Sequence, residues 1–131
     1  MAVEIERAVD LGGFQLAMNF DPVVVRVENV TQGDFLGSTG RNTAPLGPEI
    51  DNEMGTMRFG AFSFGDQLGP DGDGVLTAIT LTARGTGNSP LAVEDVQVVD
   101  TRGQAHTVLT EDGEVIVGVP RRLYLPLVRG E

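Results

Sequence analysis

In the segment 'GFQLAMNF' apolar and polar positions take turns: Phe14, Leu16, Met18 and Phe20 lie on one side and Gln15, Ala17 and Asn19 on the other. That period of two is the mark of a β-strand with one covered face. Asp21-Pro22 closes the strand, because proline removes a ladder donor and fixes φ. The next run, 'VVVRVENV', reads as a second strand, with Val23, Val25 and Val27 on one face and Val24, Arg26 and Glu28 on the other. Further strands are expected over residues 57–64, 75–84, 91–99, 104–110 and 114–117, each bounded by glycine, proline or aspartate. No window keeps apolar residues at helical spacing over three turns. The pattern therefore predicts an all-β sandwich.

Local irregularities refine this picture. Asp112-Gly113 separates two β-prone runs, a hairpin signal because glycine accepts the positive φ of such turns. 'DTRGQ' turns the chain in the same manner before residue 104. In 'MRFGAFSF' the aromatics Phe59, Phe62 and Phe64 break strict alternation, which predicts a bulge near Gly60. Residues 37–56 show no clear period and read as a long connection, either a binding loop or an excursion over one end of the sandwich.

Composition narrows the function classes. The 131 residues fit one domain, and 40% hydrophobic against 21% charged residues argues for a packed core over a disordered chain. Eighteen glycines and seven prolines supply the many turns an all-β fold needs. With no cysteine there is neither a disulfide framework nor a thiolate metal site. The net charge of −10 opposes nucleic acid and anionic lipid, so no nucleic-acid partner is expected. The opening 'MAVEIERAV' carries no basic segment followed by an apolar run, and no apolar stretch reaches the ~18 residues of a membrane span, so no membrane insertion is expected.

Catalytic constellations do not emerge. The single histidine, His106, stands in 'GQAHTVL' with no G-x-S-x-G or cysteine elsewhere to serve as a nucleophile, so no catalytic residue is assigned. Asp66, Asp71 and Asp73 gather around glycines in 'GDQLGPDGDG', an arrangement of hard carboxylate oxygens that calcium would accept, although the EF-hand spacing fails. A solvated turn is the plainer account of the same residues. The absence of tryptophan and the single tyrosine, Tyr124, argue against a flat polysaccharide-stacking platform.

Taken together, 'VDLGGFQLAMNFDPVVVRVENVTQGDFL', 'GDGVLTAITLTARGTGNSPLAVEDVQVVDTRGQ' and 'DGEVIV' resemble, in their order and spacing, the strands of cohesin domains. The resemblance implies a nine-stranded jelly-roll β-sandwich, extracellular and without catalysis, whose outer sheet face docks the helical, calcium-loaded module called dockerin. Strand parity then offers Val24, Arg26 and Glu28, Arg58, and Ala78, Thr80 and Thr82 as the partner-binding face. A carbohydrate-binding sandwich, with polysaccharide as partner, and a surface-layer or fibre subunit are the rival readings.

The sequence also departs from the family. Its first strand, 'AVEIER', is short, and the 37–56 connection stands where a small additional strand is usual. Beyond the sandwich, placed at residues 1–118, the extension 119–131 contains 'RRLYLPLV', in which Leu123, Leu125 and Leu127 alternate with Tyr124, Pro126 and Val128. Such an apolar segment is costly to leave in water. It suits packing back on its own sandwich, pairing with a neighbour's strand edge and so self-associating, or linking to a further region.

Overall fold

The computed structural model describes residues 1–118, so the extension expected over 119–131 lies outside the described residues. These residues form nine strands: β1 (Ala2–Ala8), β2 (Leu11–Asn19), β3 (Val25–Gln32), β4 (Asn42–Asp51), β5 (Thr56–Phe64), β6 (Gly72–Ala83), β7 (Gly87–Asp100), β8 (Ala105–His106) and β9 (Gly113–Val117). A small sheet has the order β1-β6-β3, and a large one the order β4-β5-β2-β7-β8, with β9 pairing the first half of β7. All the pairings are antiparallel. The jelly-roll β-sandwich expected from the sequence is the fold observed.

The inward positions of the two sheets make one core. Phe14, Leu16 and Met18 of β2 and Met57, Phe59 and Ala61 of β5 meet Val25, Val27 and Val30 of β3 and Leu76 and Ile79 of β6. Met18 and Met57 stand directly opposite each other across the β2–β5 ladder and are fully enclosed. Alternation on β2 thus does what its sequence predicts, covering one face by sandwich packing.

The residue 37–56 connection holds a strand. β4 pairs with β5 from Asn42↔Phe64 to Asp51↔Thr56, with a register shift between Leu46 and Glu49. The bulge expected at Gly60 belongs to this partner instead: β2 and β5 stay in unbroken register, while Gly47 and Pro48 are the extra residues opposite Phe59. Phe62 and Phe64 break the pattern for a different reason, since they stand on the outer face of the large sheet.

Val24 also differs from its expected place. The Asp21 carbonyl accepts the amides of both Val24 and Val25, and the Asp21 carboxylate accepts that of Val23, so the chain makes a tight turn before β3 begins. Consecutive valines therefore point inward: Val24 is 4% exposed and Val25 1%, whereas Val23, expected inside, is 73% exposed. On the far side, Asn52 in the β4–β5 turn binds the edge of β3, its Oδ1 accepting the Val27 amide at 2.8 Å and its Nδ2 donating to the Val27 carbonyl at 3.0 Å. The hairpin of one sheet is thereby tied to an edge strand of the other.

Candidate docking face

The sandwich offers two outer faces of different chemistry. On the small sheet, Ala78, Thr80 and Thr82 of β6 stand outward beside Arg26 and Thr31 of β3 and Glu4 of β1. Arg26 Nε and Glu28 Oε2 form an exposed ion pair at 2.9 Å. Glu28 is the extra residue of a bulge, since Val27 opposes Leu81 and Asn29 opposes Thr80. This face is composed of small and polar side chains, and its ion pair is satisfied internally.

The large sheet is different. Its outer positions on β4 and β5 include Leu46, Phe62 and Phe64, which are 49%, 43% and 50% exposed. The two phenylalanine rings lie with centroids 6.2 Å apart, tilted by 39°. Between them and β2 the surface is flat, because Gly13 opposes Phe62 and Gly60 opposes both Gln15 and Leu46. A side chain at Gly60 would strike the Phe14 carbonyl, its Cβ falling 2.6 Å from that oxygen. A shallow hollow of about 310 Å³ lies beside Leu46, with Gln15, Glu49 and Arg58 on its walls.

Polar groups edge this apolar centre. Arg58 Nη2 reaches Asp95 Oδ2 at 3.4 Å, and Asn19 Nδ2 donates to Glu94 Oε2 at 2.6 Å. Apolar anchors bounded by charged and amide side chains are the anatomy of a protein-binding surface. The strands hold these groups stiffly, so little conformational freedom is lost on association.

The residues proposed from strand parity are thus divided. Arg26, Glu28, Ala78, Thr80 and Thr82 do share the small sheet's outer face, Val24 is in the core, and Arg58 is on the opposite sheet. The sheet crossover separates them: β5 pairs with β2 and β4, and never neighbours β3 or β6. Leu46, Phe62 and Phe64 were not singled out as surface residues, although the break in alternation at Phe62 was their signal.

Of the three aspartates of 'GDQLGPDGDG', Asp66, Asp71 and Asp73, the latter two serve the backbone. Asp73 Oδ1 accepts the Arg7 amide at 2.9 Å and Asp71 Oδ1 the Asp10 amide at 2.7 Å, holding the β1–β2 corner where Arg7 and Asp10 have φ of 58° and 52°. Among the described residues, no group of three or more histidine, cysteine, aspartate or glutamate side chains is placed to hold a metal ion. Asp10 itself joins three segments, accepting the Gly69 amide at 2.7 Å and the Thr101 hydroxyl at 2.6 Å. The Thr101 hydrogen bond, followed by that of Gly69, holds its carboxyl below the usual carboxylate range.

His106 likewise has a structural partner. Its Nε2 lies 3.0 Å from Asp100 Oδ2, while Asp100 Oδ1 accepts the amides of Arg102 and Gln104 and so closes the β7–β8 turn. These bonds, His106 first and the Gln104 amide next, lower the Asp100 carboxyl. No hydroxyl hydrogen-bonds to the imidazole among the described residues, and an acid–imidazole pair without a nucleophile lacks the third member of a triad.

Comparison with known proteins places this architecture. The sequence matches the cohesin domain over residues 1–117. The fold is similar to a non-cellulosomal cohesin from the hyperthermophilic archaeon Archaeoglobus fulgidus, with 20% identity, a TM-score of 0.64, and coverage of 86% of this chain and 75% of that one. It is also similar to the second type II cohesin module of the cellulosomal adaptor ScaA scaffoldin of Acetivibrio cellulolyticus, with 15% identity, a TM-score of 0.68, and coverage of 91% and 86%. A structure of a type II Cohesin-X-Dockerin complex from the same organism matches with 13% identity, a TM-score of 0.59, and coverage of 82% and 80%. No curated protein matches the sequence. Identities this low speak to the fold, whereas the family match runs from the first strand to the last: the chain belongs to the cohesin domain family.

Proposed function

We propose that this chain is a non-catalytic, extracellular recognition module that binds a dockerin-type partner through the outer face of its large sheet. The observation that carries the choice of face is the exposed group Leu46, Phe62 and Phe64 on a stiff, glycine-flattened surface. The small sheet's outer face presents threonine, alanine and an internally paired arginine, which give a partner little apolar area to bury. Family membership and the likeness to a cohesin found in a Cohesin-X-Dockerin complex support the nature of the partner.

Isothermal titration with purified calcium-loaded dockerin modules tests the reading. Phe62→Ala and Leu46→Ala are each expected to weaken binding about tenfold or more, as truncation of an interface anchor does. Arg26→Ala and Thr80→Ala on the other face are expected to change it less than about twofold. Loss of binding through Arg26 and Thr80, with Phe62 and Leu46 neutral, would transfer the site to the small sheet. Soluble glycans titrated in parallel separate this reading from the carbohydrate-binding one.

A further inference from the structure

The outer face of the large sheet changes in kind along its strands. At one end Ala44, Phe62, Gly13 and Val99 stand side by side across β4, β5, β2 and β7, a row without an ionisable group. Four residues back along β5, about 13 Å away, the corresponding row is Glu49, Arg58, Ala17 and Glu94. Apolar anchors thus fill one half of the face and charges the other.

A bulge in β7 enriches the charged half in carboxylates. Gln97 opposes Gln15 and Glu94 opposes Ala17, so Asp95 and Val96 together face the single residue Leu16. Asp95 takes a φ of 53° there; Val96 turns to the core, while Glu94 and Asp95 both reach the outer surface, bonded to Asn19 and Arg58. Against Glu49, Glu94 and Asp95 this half of the face sets one cation, Arg58, whose contact with Asp95 is a long 3.4 Å between exposed side chains. Among the described residues Glu49 and Glu94 have no ion-pair partner. The excess charge is therefore negative and open to a partner's cation.

Resting on the docking reading above, we propose that this gradient fixes the direction in which the partner lies on the sheet. Its apolar side chains cover Phe62 and Phe64, and arginine or lysine side chains about 13 Å further along meet Glu49, Glu94 and Asp95. On a helix lying along the strands that interval is about nine residues.

The reversed arrangement carries two penalties. It sets the partner's cations over the row of Phe62 and Val99, where no carboxylate answers them, and its apolar side chains over Glu49 and Glu94, which lose water without gaining a counter-charge. Exposed charges of this kind act mainly on the approach: they steer the encounter, raise the association rate at low salt and reject wrong alignments. Leu46 and Phe62, which must be covered in the finished complex, govern its lifetime instead. The two halves of the face therefore separate kinetically.

The chain has no cysteine, so a single spin label can be attached at either end of the face: through Asn42→Cys, opposite Phe64, or through Thr56→Cys, opposite Asp51. These positions lie about 26 Å apart along the strands. With an isotope-labelled, calcium-loaded dockerin module, each label is expected to broaden a different set of dockerin NMR signals, the Thr56 set including those of its arginines and lysines. In stopped-flow mixing, Glu49→Lys/Glu94→Lys is expected to slow association about tenfold at low salt and less than about twofold at high salt, with dissociation little changed, whereas Phe62→Ala speeds dissociation. Identical broadened sets from the two labels, or association indifferent to the charge reversal, would overturn the one-way docking and leave the docking face standing. Absence of binding by every dockerin module tried, or binding indifferent to Phe62→Ala, would overturn the docking face and this inference with it.

Discussion

Replacing Asn52 by alanine removes a side chain that binds both backbone groups of Val27. The amide of Asn52 mimics a neighbouring strand, accepting at 2.8 Å and donating at 3.0 Å. Val27 is itself buried, and the bulge at Glu28 adjoins it, so β6 does not supply these bonds. Each hydrogen bond of this kind contributes about 0.5–1.5 kcal/mol net, which sets the loss for Asn52→Ala at about 1–3 kcal/mol. For a domain of this size that is a fall of about 4 °C in Tm per kcal/mol. Asn52→Asp keeps the acceptor for the Val27 amide but sets a carboxylate oxygen against the Val27 carbonyl, and it is expected to recover none of the donor half. Urea unfolding measures both, with an unchanged m value showing that the two variants lose stability without a change in the surface exposed on unfolding. A loss below about 0.5 kcal/mol in Asn52→Ala would refute the reasoning, because it would mean that water satisfies the β3 edge equally well.

Three further outcomes follow from the same structure. Met18→Ala, at a fully enclosed position facing Met57, is expected to cost about 2–5 kcal/mol in urea unfolding. Gly55→Ala combines a φ of +79° with a Cβ directed at the Phe20 carbonyl, so its urea midpoint is expected to fall by more than that of Gly103→Ala, whose Cβ meets nothing within 4 Å. Asp10 and Asp100 have carboxyls lowered from 3.8 in the folded state, so the stability they contribute is complete above that value and is lost as pH falls through their folded values. The urea midpoint is therefore expected to drop in that acidic window, and less steeply in Asp10→Asn, where an unchanged slope would argue against the Asp10 contribution.

Most of the strand order was legible because most strands bury one face. The 'GFQLAMNF' alternation places Phe14, Leu16 and Met18 inside as expected, and the strands expected at 57–64 and 91–99 fall within β5 and β7. β4 was not legible for a physical reason. It is an edge strand whose side chains are mostly exposed on both sides, with Pro45, Gly47 and Pro48 within it, so neither alternation nor β-propensity survives in its sequence. The strand expected at 104–110 shrinks to Ala105–His106, since only Val98 and Val99 pair with it before the chain leaves the sheet. Parity within most strands was readable, the turn at Val23 and Val24 being the exception, but the sheet to which a strand belongs was not. Arg58 was grouped with Arg26 on one face because alternation carries no information about crossovers, and the same gap hid Leu46 and Phe62 as neighbours.

The two faces also differ in how they are held. β5, which carries Phe62 and Phe64, is bonded on both sides by β2 and β4 in the large sheet. Arg41 anchors the end of that strand, donating from Nε to the Ser63 hydroxyl, from Nη2 to the Ser63 carbonyl and from Nη1 to the carbonyls of Gly65 and Gln67. At the opposite end, Asp51 Oδ1 accepts the amides of Glu53 and Met54, and Gly55 donates to the Asp51 carbonyl, fixing the turn from which Asn52 reaches β3. Both ends of the β4–β5 hairpin are therefore pinned by side chains that bond mainly to backbone groups, which resist displacement better than exposed ion pairs do. Between these pins the outer side chains depart from a surface that cannot yield locally without breaking ladder bonds, the condition under which a few apolar anchors give a specific docking site.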